Sequence, residues 1–295
     1  MSNDFSLAHS NVAILGLGLM GGSLALALRG HCASLLGADP HPAALEAARS
    51  RAIVDRLSAD PASLLPEADV IILAAPVPAI EALLENLSAW TSHPCVVLDI
   101  GSTKRTIVEA MSRLPAHFDP IGGHPICGKE TLTLAHAEAA LYRGATFCLV
   151  PLARSGARAR SIAQQILKAI GAQPLIVEAG EHDRILAVTS HLPFLLSSAL
   201  TLSACGEARP FIGPGFRSTS RLAGTPASMM SGALRANRDH LLAALAGFRA
   251  RLTELESALA ARDDAALTSL LERTRASYLE LMSAPGDLHK TGATR

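Results

Sequence analysis

A glycine-rich turn near the start of the chain limits the folds that it can adopt more than any other feature. Gly16, Gly18 and Gly21 stand in the order G-x-G-x-x-G. The apolar run "NVAILGLG" predicts a buried strand that leads into the turn, and "LMGGSLALALRG" predicts a helix that leaves it. Asp39 follows about twenty residues further on, at the end of a second predicted strand. Together these features predict a dinucleotide-binding βαβ unit; the alternative is a glycine turn in an unrelated α/β domain.

Each glycine of the turn has its own expected task. Gly16 permits the tight turn, Gly18 lets a pyrophosphate approach the backbone, and Gly21 allows the helix to pack closely. The helix N-terminus adds free N–H donors and a dipole that favours an anion. The loop after the strand "DVIILAAP" reaches the same edge of the sheet. The predicted cofactor-binding residues are Gly16, Gly18, Leu19, Met20, Gly21, Asp39 and Pro76.

Asp39 indicates which dinucleotide binds. A carboxylate there accepts hydrogen bonds from a ribose 2′-hydroxyl and repels a 2′-phosphate, so NAD is favoured over NADP. His41 and Arg49 lie nearby in the sequence, and they would meet a phosphate if Asp39 turned away.

The first half of the chain alternates short β-rich runs with helical patterns, which is typical of parallel strands joined by crossover helices. Further strands are predicted in "SLLGAD", "CVVLDIGS", "TFCLVPL" and "QPLIVEAG". After about residue 178 the strand signals stop. We therefore expect a Rossmann-type α/β domain over residues 1–177 and an all-helical domain over residues 178–295. One apolar stripe on a long helix is formed by Leu241, Leu245, Phe248, Leu252, Leu255 and Leu259; such a stripe is most often core, and the alternative is packing against a partner subunit. Asp263 or Asp264 suits the start of another helix.

Composition narrows the class of partner. Lys plus Arg and Asp plus Glu number 26 each, so no overall field draws the chain to nucleic acid or to an anionic membrane. Five scattered cysteines without a CxxC pair fit reduced thiols, which favours a cytoplasmic protein with a small-molecule substrate. The apolar run Leu186–Cys205 has the length of a membrane span but contains His191 and Pro193, so we expect a buried helix of a globular domain.

Several polar residues follow predicted strands, where loops of an open α/β sheet reach the ligand crevice. Ser102 and Lys104 come after "LDI"; the alternative for Ser102 is a helix N-cap. His124 follows a Gly-Gly pair on a predicted loop, and imidazole suits proton transfer, although a lone loop histidine is more often structural. His191 lies in an apolar helical run, where a satisfied core histidine is the alternative. Two arginines in "FIGPGFRSTSRLAG" are able to grip carboxylates, unless they are surface charges: Arg217 and Arg221.

Taken together, the motifs resemble the prephenate/arogenate dehydrogenase family of tyrosine biosynthesis. The resemblance runs from about residue 11 to about residue 260. It rests on "GLGLMGGSLA", "DVIILAAPV", "LDIGSTK", "GGHPICGKE", "TSHLPF" and "GPGFRSTSRLA", in the family's order. The G-x-G-x-x-G element is common to many dehydrogenases, whereas the G-G-H-P and S-H-L-P elements are much more specific.

The resemblance implies roles for single residues. His124 matches the catalytic histidine, Ser102 the serine that hydrogen-bonds it and the substrate, and Arg221 the arginine that binds a substrate carboxylate. The remaining site candidates are Lys104, Glu130, His191 and Arg217. The implied reaction oxidises prephenate, passes hydride to NAD and releases carbon dioxide, and it needs no metal. The family fold implies a homodimer held by the helical domain.

One departure from the family pattern concerns the substrate. Many prephenate-specific members read S-H-L-P-H, whereas this chain has Phe194 at the last position. The choice between prephenate and arogenate, or a dual cyclohexadienyl activity, is therefore open. A hydroxyacid dehydrogenase of similar architecture is disfavoured because such enzymes use a lysine in the second domain, and here lysine returns after residue 168 only at Lys290. A non-catalytic NAD sensor would have no need of Ser102, His124 and Arg221 together.

Overall fold

The computed structural model describes residues 5–129 and 133–283. Within that part, the strands form one sheet. In chain order they are β1 (Asn11–Leu15), β2 (Ser34–Ala38), β3 (Arg56–Ser58), β4 (Val70–Leu73), β5 (Cys95–Asp99), β6 (Phe118–Pro125), β7 (Thr146–Pro151) and β8 (Gln173–Ile176). The α-helices are α1 (Leu19–Leu28), α2 (Pro42–Ser50), α3 (Val77–Trp90), α4 (Arg105–Ser112), α5 (Ala157–Ile170), α6 (Ala179–Leu186), α7 (Leu192–Ser203), α8 (Pro214–Ser220), α9 (Ala227–Ala236), α10 (Arg238–Ala260) and α11 (Asp264–Met282).

The strand order confirms the predicted Rossmann-type sheet. It reads β3-β2-β1-β4-β5-β6-β7-β8, and β1 pairs in parallel with both β2 and β4. The order reverses between β1 and β4, and in open α/β sheets ligands bind beside the carboxyl ends of the strands at such a reversal. The glycine turn after β1 lies at this point.

The sheet has a hydrophobic layer on each face, which explains the nearly continuous apolar runs of its central strands. On one face Val12 and Ile72 pack with Leu24 of α1 and Ile162 of α5. On the other face alternate strand residues pack with α3 and α4; this set includes Leu15, Ile71, Leu84 and Met111. The packed helices on both faces support β1, β4 and β5, whose carboxyl ends lie side by side at one edge of the sheet.

The prediction that every strand runs parallel after a crossover helix is wrong at β7. This strand pairs antiparallel with β6, with His124 opposite Cys148. Two short 3₁₀ segments, Leu134–His136 and Ala139–Tyr142, occupy the described part of the connection. An antiparallel neighbour needs no helical crossover, so the chain returns directly. The reversal extends the pairing to the end of β6, which places His124 in a strand instead of the predicted loop.

The residues described after β8 are helical. Contacts along the chain divide it into two compact units, residues 1–241 and 242–295. The second unit holds most of α10 and all of α11, and Asp263 caps α11 through a 2.9 Å hydrogen bond from the Ala266 N–H, as expected. The tail from Ala284 lies outside the described residues. The boundary at residue 177 stays a prediction.

The helical segment Ala179–Ser203 has the length and mean hydropathy, 1.6, of a membrane span, and it is the one such segment found in the described residues. Only 22% of its apolar window is buried. The prediction of a buried helix is therefore right for the side that carries His191 and Ser197 and wrong for the opposite side, where Val188 and Leu202 are exposed. Buried Asp183 and His191 bind other parts of the first unit, which favours a globular helix.

Candidate active site

The glycine turn forms a close backbone cradle at the start of α1. Gly16 has φ +102°, and a Cβ there would collide with the carbonyl oxygen of Ala74 after β4. A Cβ on Gly21 would collide with the Gly16 carbonyl oxygen. Gly18 is the N-cap of α1 and provides no side-chain cap, so the N–H groups of Leu19 and Met20 in the first turn have no intrahelical partner. This cradle fits an anionic phosphate group.

Asp39 is fixed beside this turn. Its carboxylate accepts hydrogen bonds from the Leu17 N–H at 2.8 Å and from the His41 N–H at 2.9 Å, and the residue is buried. Arg49 pairs with Glu46 at 2.9 Å on the exposed side of α2. Because two backbone bonds hold Asp39 facing the turn, the arrangement in which it turns away and leaves Arg49 to a phosphate is disfavoured.

The other predicted cofactor residues lie at the same edge. Leu19 and Met20 form the first turn of α1, and Pro76 is the N-cap of α3, directly after β4. The buried Tyr142 hydroxyl donates a 2.7 Å hydrogen bond to the Met20 carbonyl oxygen. Tyr142 thereby ties the start of α1 to the connection between β6 and β7.

A single carboxylate joins the ends of β5 and β6. Asp99 accepts hydrogen bonds from the Gly101 N–H at 2.8 Å and from the Gly123 N–H at 3.1 Å. Gly101 precedes Ser102, and Gly123 precedes His124. Asp99 therefore holds the backbone beside both predicted catalytic residues.

Lys104 supports this arrangement from inside the fold. Its ammonium group donates to the Asp99 carboxylate and, at 2.6 Å, to the Gly123 carbonyl oxygen, and the residue is fully buried. Burial lowers the pKa of Lys104, and the charge of Asp99 opposes that shift. The described contacts of Lys104 are with Asp99 and with the backbone next to His124, and its expected contact with the substrate stays a prediction.

Ser102 is not the N-cap of α4, contrary to the alternative that its position suggested. The cap position belongs to Lys104, and the Asp183 carboxylate takes the place of a local cap. Asp183 accepts from the Lys104 N–H at 2.7 Å and from the Arg105 N–H at 2.9 Å. Ser102 is half-buried, and none of the hydrogen bonds of the described residues joins it to His124.

Two residues of this site were missed from the sequence, His182 and Asp183 of α6. His182 Nε2 lies 2.8 Å from His124 Nδ1, and His182 Nδ1 lies 2.8 Å from Asp183 Oδ1. Both residues are buried, and the two histidine rings meet edge to face. The string "EHDRIL" has the polarity of an exposed helix start, so its pattern gave no sign of burial. The adjacent His-Asp pair shortly after the last strand was the available signal.

His191 belongs to the same polar cluster. It ends a π-helical turn, Ala187–His191, and such turns are frequent at functional sites. The buried Asn237 amide nitrogen lies 3.1 Å from His191 Nδ1 and 2.7 Å from the Asp183 carbonyl oxygen. The contact with Asn237 fits the alternative of a satisfied histidine, and the role of His191 in substrate binding stays a prediction.

The electrostatics of the cluster favour uncharged imidazoles at His124 and His191. Burial lowers the pKa of His124 well below its ordinary value, and the nearby His182, Lys104 and His191 act in the same direction. Burial also lowers the pKa of His191. Burial alone would raise the pKa of Asp183, but hydrogen bonds from His182 and from two backbone N–H groups outweigh it and lower that pKa. At neutral pH His124 is therefore a neutral base near an ionised carboxylate.

The two predicted arginines lie on the helical side of the first unit. Arg217 is exposed on α8, and Arg221 begins the following 3₁₀ turn, Arg221–Gly224. The Ala223 N–H donates a 2.9 Å hydrogen bond to Ser197 of α7, which ties this turn to the helix that follows His191. Glu130 lies outside the described residues.

The fold and the site define a class of protein. Three features are those of a nicotinamide-dependent dehydrogenase: a mostly parallel sheet whose strand order reverses, a phosphate cradle beside a fixed carboxylate, and a neutral histidine at a neighbouring strand end. The family model for the nucleotide-binding domain of prephenate dehydrogenase matches residues 24–176, and the model for its dimerization domain matches residues 178–273. The chain belongs to the prephenate dehydrogenase family.

The chain is also similar to individual prephenate and arogenate dehydrogenases. A prephenate dehydrogenase of Bacillus subtilis is 28% identical over 241 residues, which cover 78% of this chain and 65% of that protein. The chain thus spans less than two thirds of that relative. The structure of A. aeolicus prephenate dehydrogenase in complex with hydroxyphenyl propionate and NAD+ matches with a TM-score of 0.87 and 26% identity, covering 94% of this chain and 99% of that one. Synechocystis arogenate dehydrogenase matches with a TM-score of 0.79 and 29% identity, covering 92% and 100%.

Proposed function

We propose that the chain catalyses the NAD-dependent oxidative decarboxylation of prephenate to 4-hydroxyphenylpyruvate. The observation that carries the proposal is the position of His124, a neutral imidazole held by His182 at the carboxyl end of β6, in a chain of the prephenate dehydrogenase family. A neutral base is what removal of a hydroxyl proton requires. The NAD+ in the A. aeolicus complex supports the choice of cofactor.

The residues around the glycine turn fit NAD. The pyrophosphate would meet the N–H groups of Leu19 and Met20 in the cradle between Gly16 and Gly21. Asp39 has lone pairs left for ribose hydroxyls, and its charge would repel the 2′-phosphate of NADP. Pro76 borders the same crevice. When bound, NAD supplies the acceptor for the hydride that leaves the ring carbon.

His124 moves the proton in the proposed reaction. It takes the proton of the ring hydroxyl as the C–H electron pair leaves as hydride. The C–C bond to the ring carboxylate then breaks, carbon dioxide departs, and its bonding electrons complete the aromatic ring as a phenolate. His124 returns its proton to that oxygen. No net proton is released, and prephenate plus NAD+ balance with 4-hydroxyphenylpyruvate, carbon dioxide and NADH.

The remaining site residues are proposed to hold the substrate. Ser102 would hydrogen-bond the substrate hydroxyl beside His124, since Asp99 fixes the backbone before both residues. Arg221 would bind a substrate carboxylate, with Arg217, Glu130 and His191 as further contacts, because guanidinium groups bind carboxylates bidentately. Lys104 would act through the backbone of Gly123.

Arogenate is the second candidate substrate, because Phe194 stands where many prephenate-specific members have a histidine. Phe194 is half-buried on α7, one turn beyond His191, where an apolar ring gives no hydrogen bond to a substrate side chain. The similarity to Synechocystis arogenate dehydrogenase agrees with this candidate. A dual cyclohexadienyl specificity would combine both activities.

We further propose that the chain works as a homodimer. The match to a dimerization-domain model over residues 178–273 supports this, and it begins next to the domain boundary that we predict at residue 177. Apolar side chains of α10 and α11 are more than half exposed in the single chain; they include Leu242, Leu252, Leu259, Leu271 and Tyr278. A cytoplasmic location fits the balanced charge and the free cysteines of the described part.

The test of the proposed function crosses two substrates with two cofactors. Purified protein is given prephenate or arogenate with NAD or NADP, and formation of reduced nicotinamide and release of carbon dioxide are followed together. We expect turnover with prephenate and NAD and a much lower rate with NADP. A faster reaction with arogenate would select the second candidate. Silence in all four assays, with NAD binding confirmed by calorimetry, would refute the proposed function.

A further inference from the structure

Three side chains form a buried line that ends at the proposed base. Asp183 Oδ1 contacts His182 Nδ1, and His182 Nε2 contacts His124 Nδ1, each at 2.8 Å. The members at the inner end are closed to solvent: His182 is 1% exposed and Asp183 0%. The other nitrogen of His124 takes no part in this line.

Hydrogen-bond polarity along the line follows from its inner end. The Asp183 carboxylate has no hydrogen to give, and it already accepts the backbone N–H groups of Lys104 and Arg105. His182 Nδ1 must therefore carry a hydrogen and donate it to Asp183. In the neutral ring His182 Nε2 then has only a lone pair, so the contact with His124 requires the hydrogen to sit on His124 Nδ1.

We infer that His182 is a positioning residue that holds His124 in the tautomer with a hydrogen on Nδ1 and a free lone pair on Nε2, and that Asp183 fixes His182 in turn. The inference rests on the proposed function, because it assigns the base of that reaction to one atom. In the opposite tautomer the lone pair of His124 would point at His182, and no basic nitrogen would face a substrate.

The line also serves the protonated state of His124. When Nε2 takes a proton, Nδ1 keeps its hydrogen bond to His182, and the Asp183 carboxylate faces the new positive charge through that ring. Besides His182, the groups whose charges act on His124 are Lys104 and His191. Lys104 is paired with Asp99, and His191 is held by Asn237. The only described carboxylate in contact with the two-histidine unit is Asp183, whose α4 contacts keep it in place.

Two substitutions of His182 separate its two contacts. The amide nitrogen of Asn lies near the position of imidazole Nδ1, so His182→Asn keeps the bond to Asp183 and loses His124. The amide of Gln reaches the position of Nε2, so His182→Gln offers an oxygen that accepts the His124 Nδ1 hydrogen but cannot titrate. His93→Gln is the control, because His93 is a partly exposed histidine that lies 3.4 Å from a different carboxylate, Asp69.

We expect His182→Asn to lower kcat by about 10²–10⁴-fold, the range for losing an oriented general base. His182→Gln should stay within about tenfold of wild type, since it loses the contact with Asp183 but keeps a hydrogen bond to His124 Nδ1. NAD affinity should be unchanged in both, and His93→Gln should match wild type. Wild-type kcat in His182→Asn, or equal loss in folded Asn and Gln variants, would overturn the inference.

The ring nitrogens of wild-type protein provide a readout that does not depend on turnover. Nitrogen-15 NMR of histidine-labelled protein distinguishes the two tautomers, and the His124 signal is the one that disappears in His124→Asn. We expect a protonated Nδ1 and an unprotonated Nε2 above pH 7. A protonated Nε2 would overturn the inference. An inactive wild type with the expected tautomer would refute the proposed function and leave the positioning intact.

Discussion

We predict that loss of the buried ion pair between Lys104 and Asp99 lowers the free energy of unfolding. In Lys104→Met the side chain keeps much of its volume but loses its ammonium group. Two bonds disappear, the one to the Asp99 carboxylate and the 2.6 Å bond to the Gly123 carbonyl oxygen. Asp99 remains fully buried with only two backbone donors, from Gly101 and Gly123.

The expected loss of stability comes from the Asp99 charge, which stays buried without its partner. Removing one partner of a buried ion pair leaves an uncompensated charge and costs about 3–5 kcal/mol. The matched control is Lys129→Met, which makes the same chemical change in the partly exposed pair with Glu138, 2.9 Å apart. Exposed pairs contribute about 0–1 kcal/mol, so the control should be nearly neutral.

Urea unfolding followed by tryptophan fluorescence measures both effects. The chain has a single tryptophan, Trp90 at the end of α3, so the signal reports on the sheet domain. All variants are compared at one protein concentration, because the stability of a dimer depends on concentration. A free energy of unfolding for Lys104→Met within about 1 kcal/mol of wild type would refute the reasoning, and so would equal losses in both variants.

Three further predictions concern the candidate site. Burial lowers the pKa of His124 below the ordinary value of 6.5, so the imidazole stays neutral at pH 6.5. We therefore expect kcat/KM to stay level through pH 6.5 and to fall only at more acidic pH, and an acid limb centred at or above pH 6.5 would contradict this. Asp39→Ala should reduce the NAD over NADP preference in kcat/KM by about tenfold or more, since it removes the repelling charge; an unchanged ratio would exclude Asp39 from cofactor choice. Gly16→Ala should abolish NAD binding, measured by calorimetry, because the new Cβ collides with the Ala74 carbonyl oxygen. The control Gly30→Ala, at φ +77° with open space around it, should bind NAD normally. Normal binding by both variants would show that the cradle tolerates a side chain.

The sequence predicts the parts of the fold that depend on local pattern. Apolar runs locate the central strands, and the glycine turn with Asp39 locates the dinucleotide edge, because these signals lie within one βαβ unit. The direction of β7 was not predictable in this way. It depends on how the connection between β6 and β7 folds back, and that irregular segment carries no periodic signal for its path.

For the candidate site, the sequence indicated some residues, but it did not indicate contacts that depend on tertiary structure. The resemblance indicated His124, but its partner His182 lies 58 residues away in the chain and meets it only after α6 packs on α4. Lys104 was expected in a ligand site because it follows a strand, and its burial against Asp99 is a tertiary property that no local pattern shows. Charged residues at strand ends are therefore ambiguous until their partners are known.

Substitution of His124 tests the central claim most directly. His124→Asn and wild type are compared for NAD affinity by calorimetry and for turnover of prephenate by reduced-nicotinamide formation. We predict equal NAD affinity and a turnover lower by about 10²–10⁴-fold in the variant, because Asn cannot take the hydroxyl proton. Turnover within about threefold of wild type, with NAD affinity unchanged, would contradict the account and remove His124 from the chemistry.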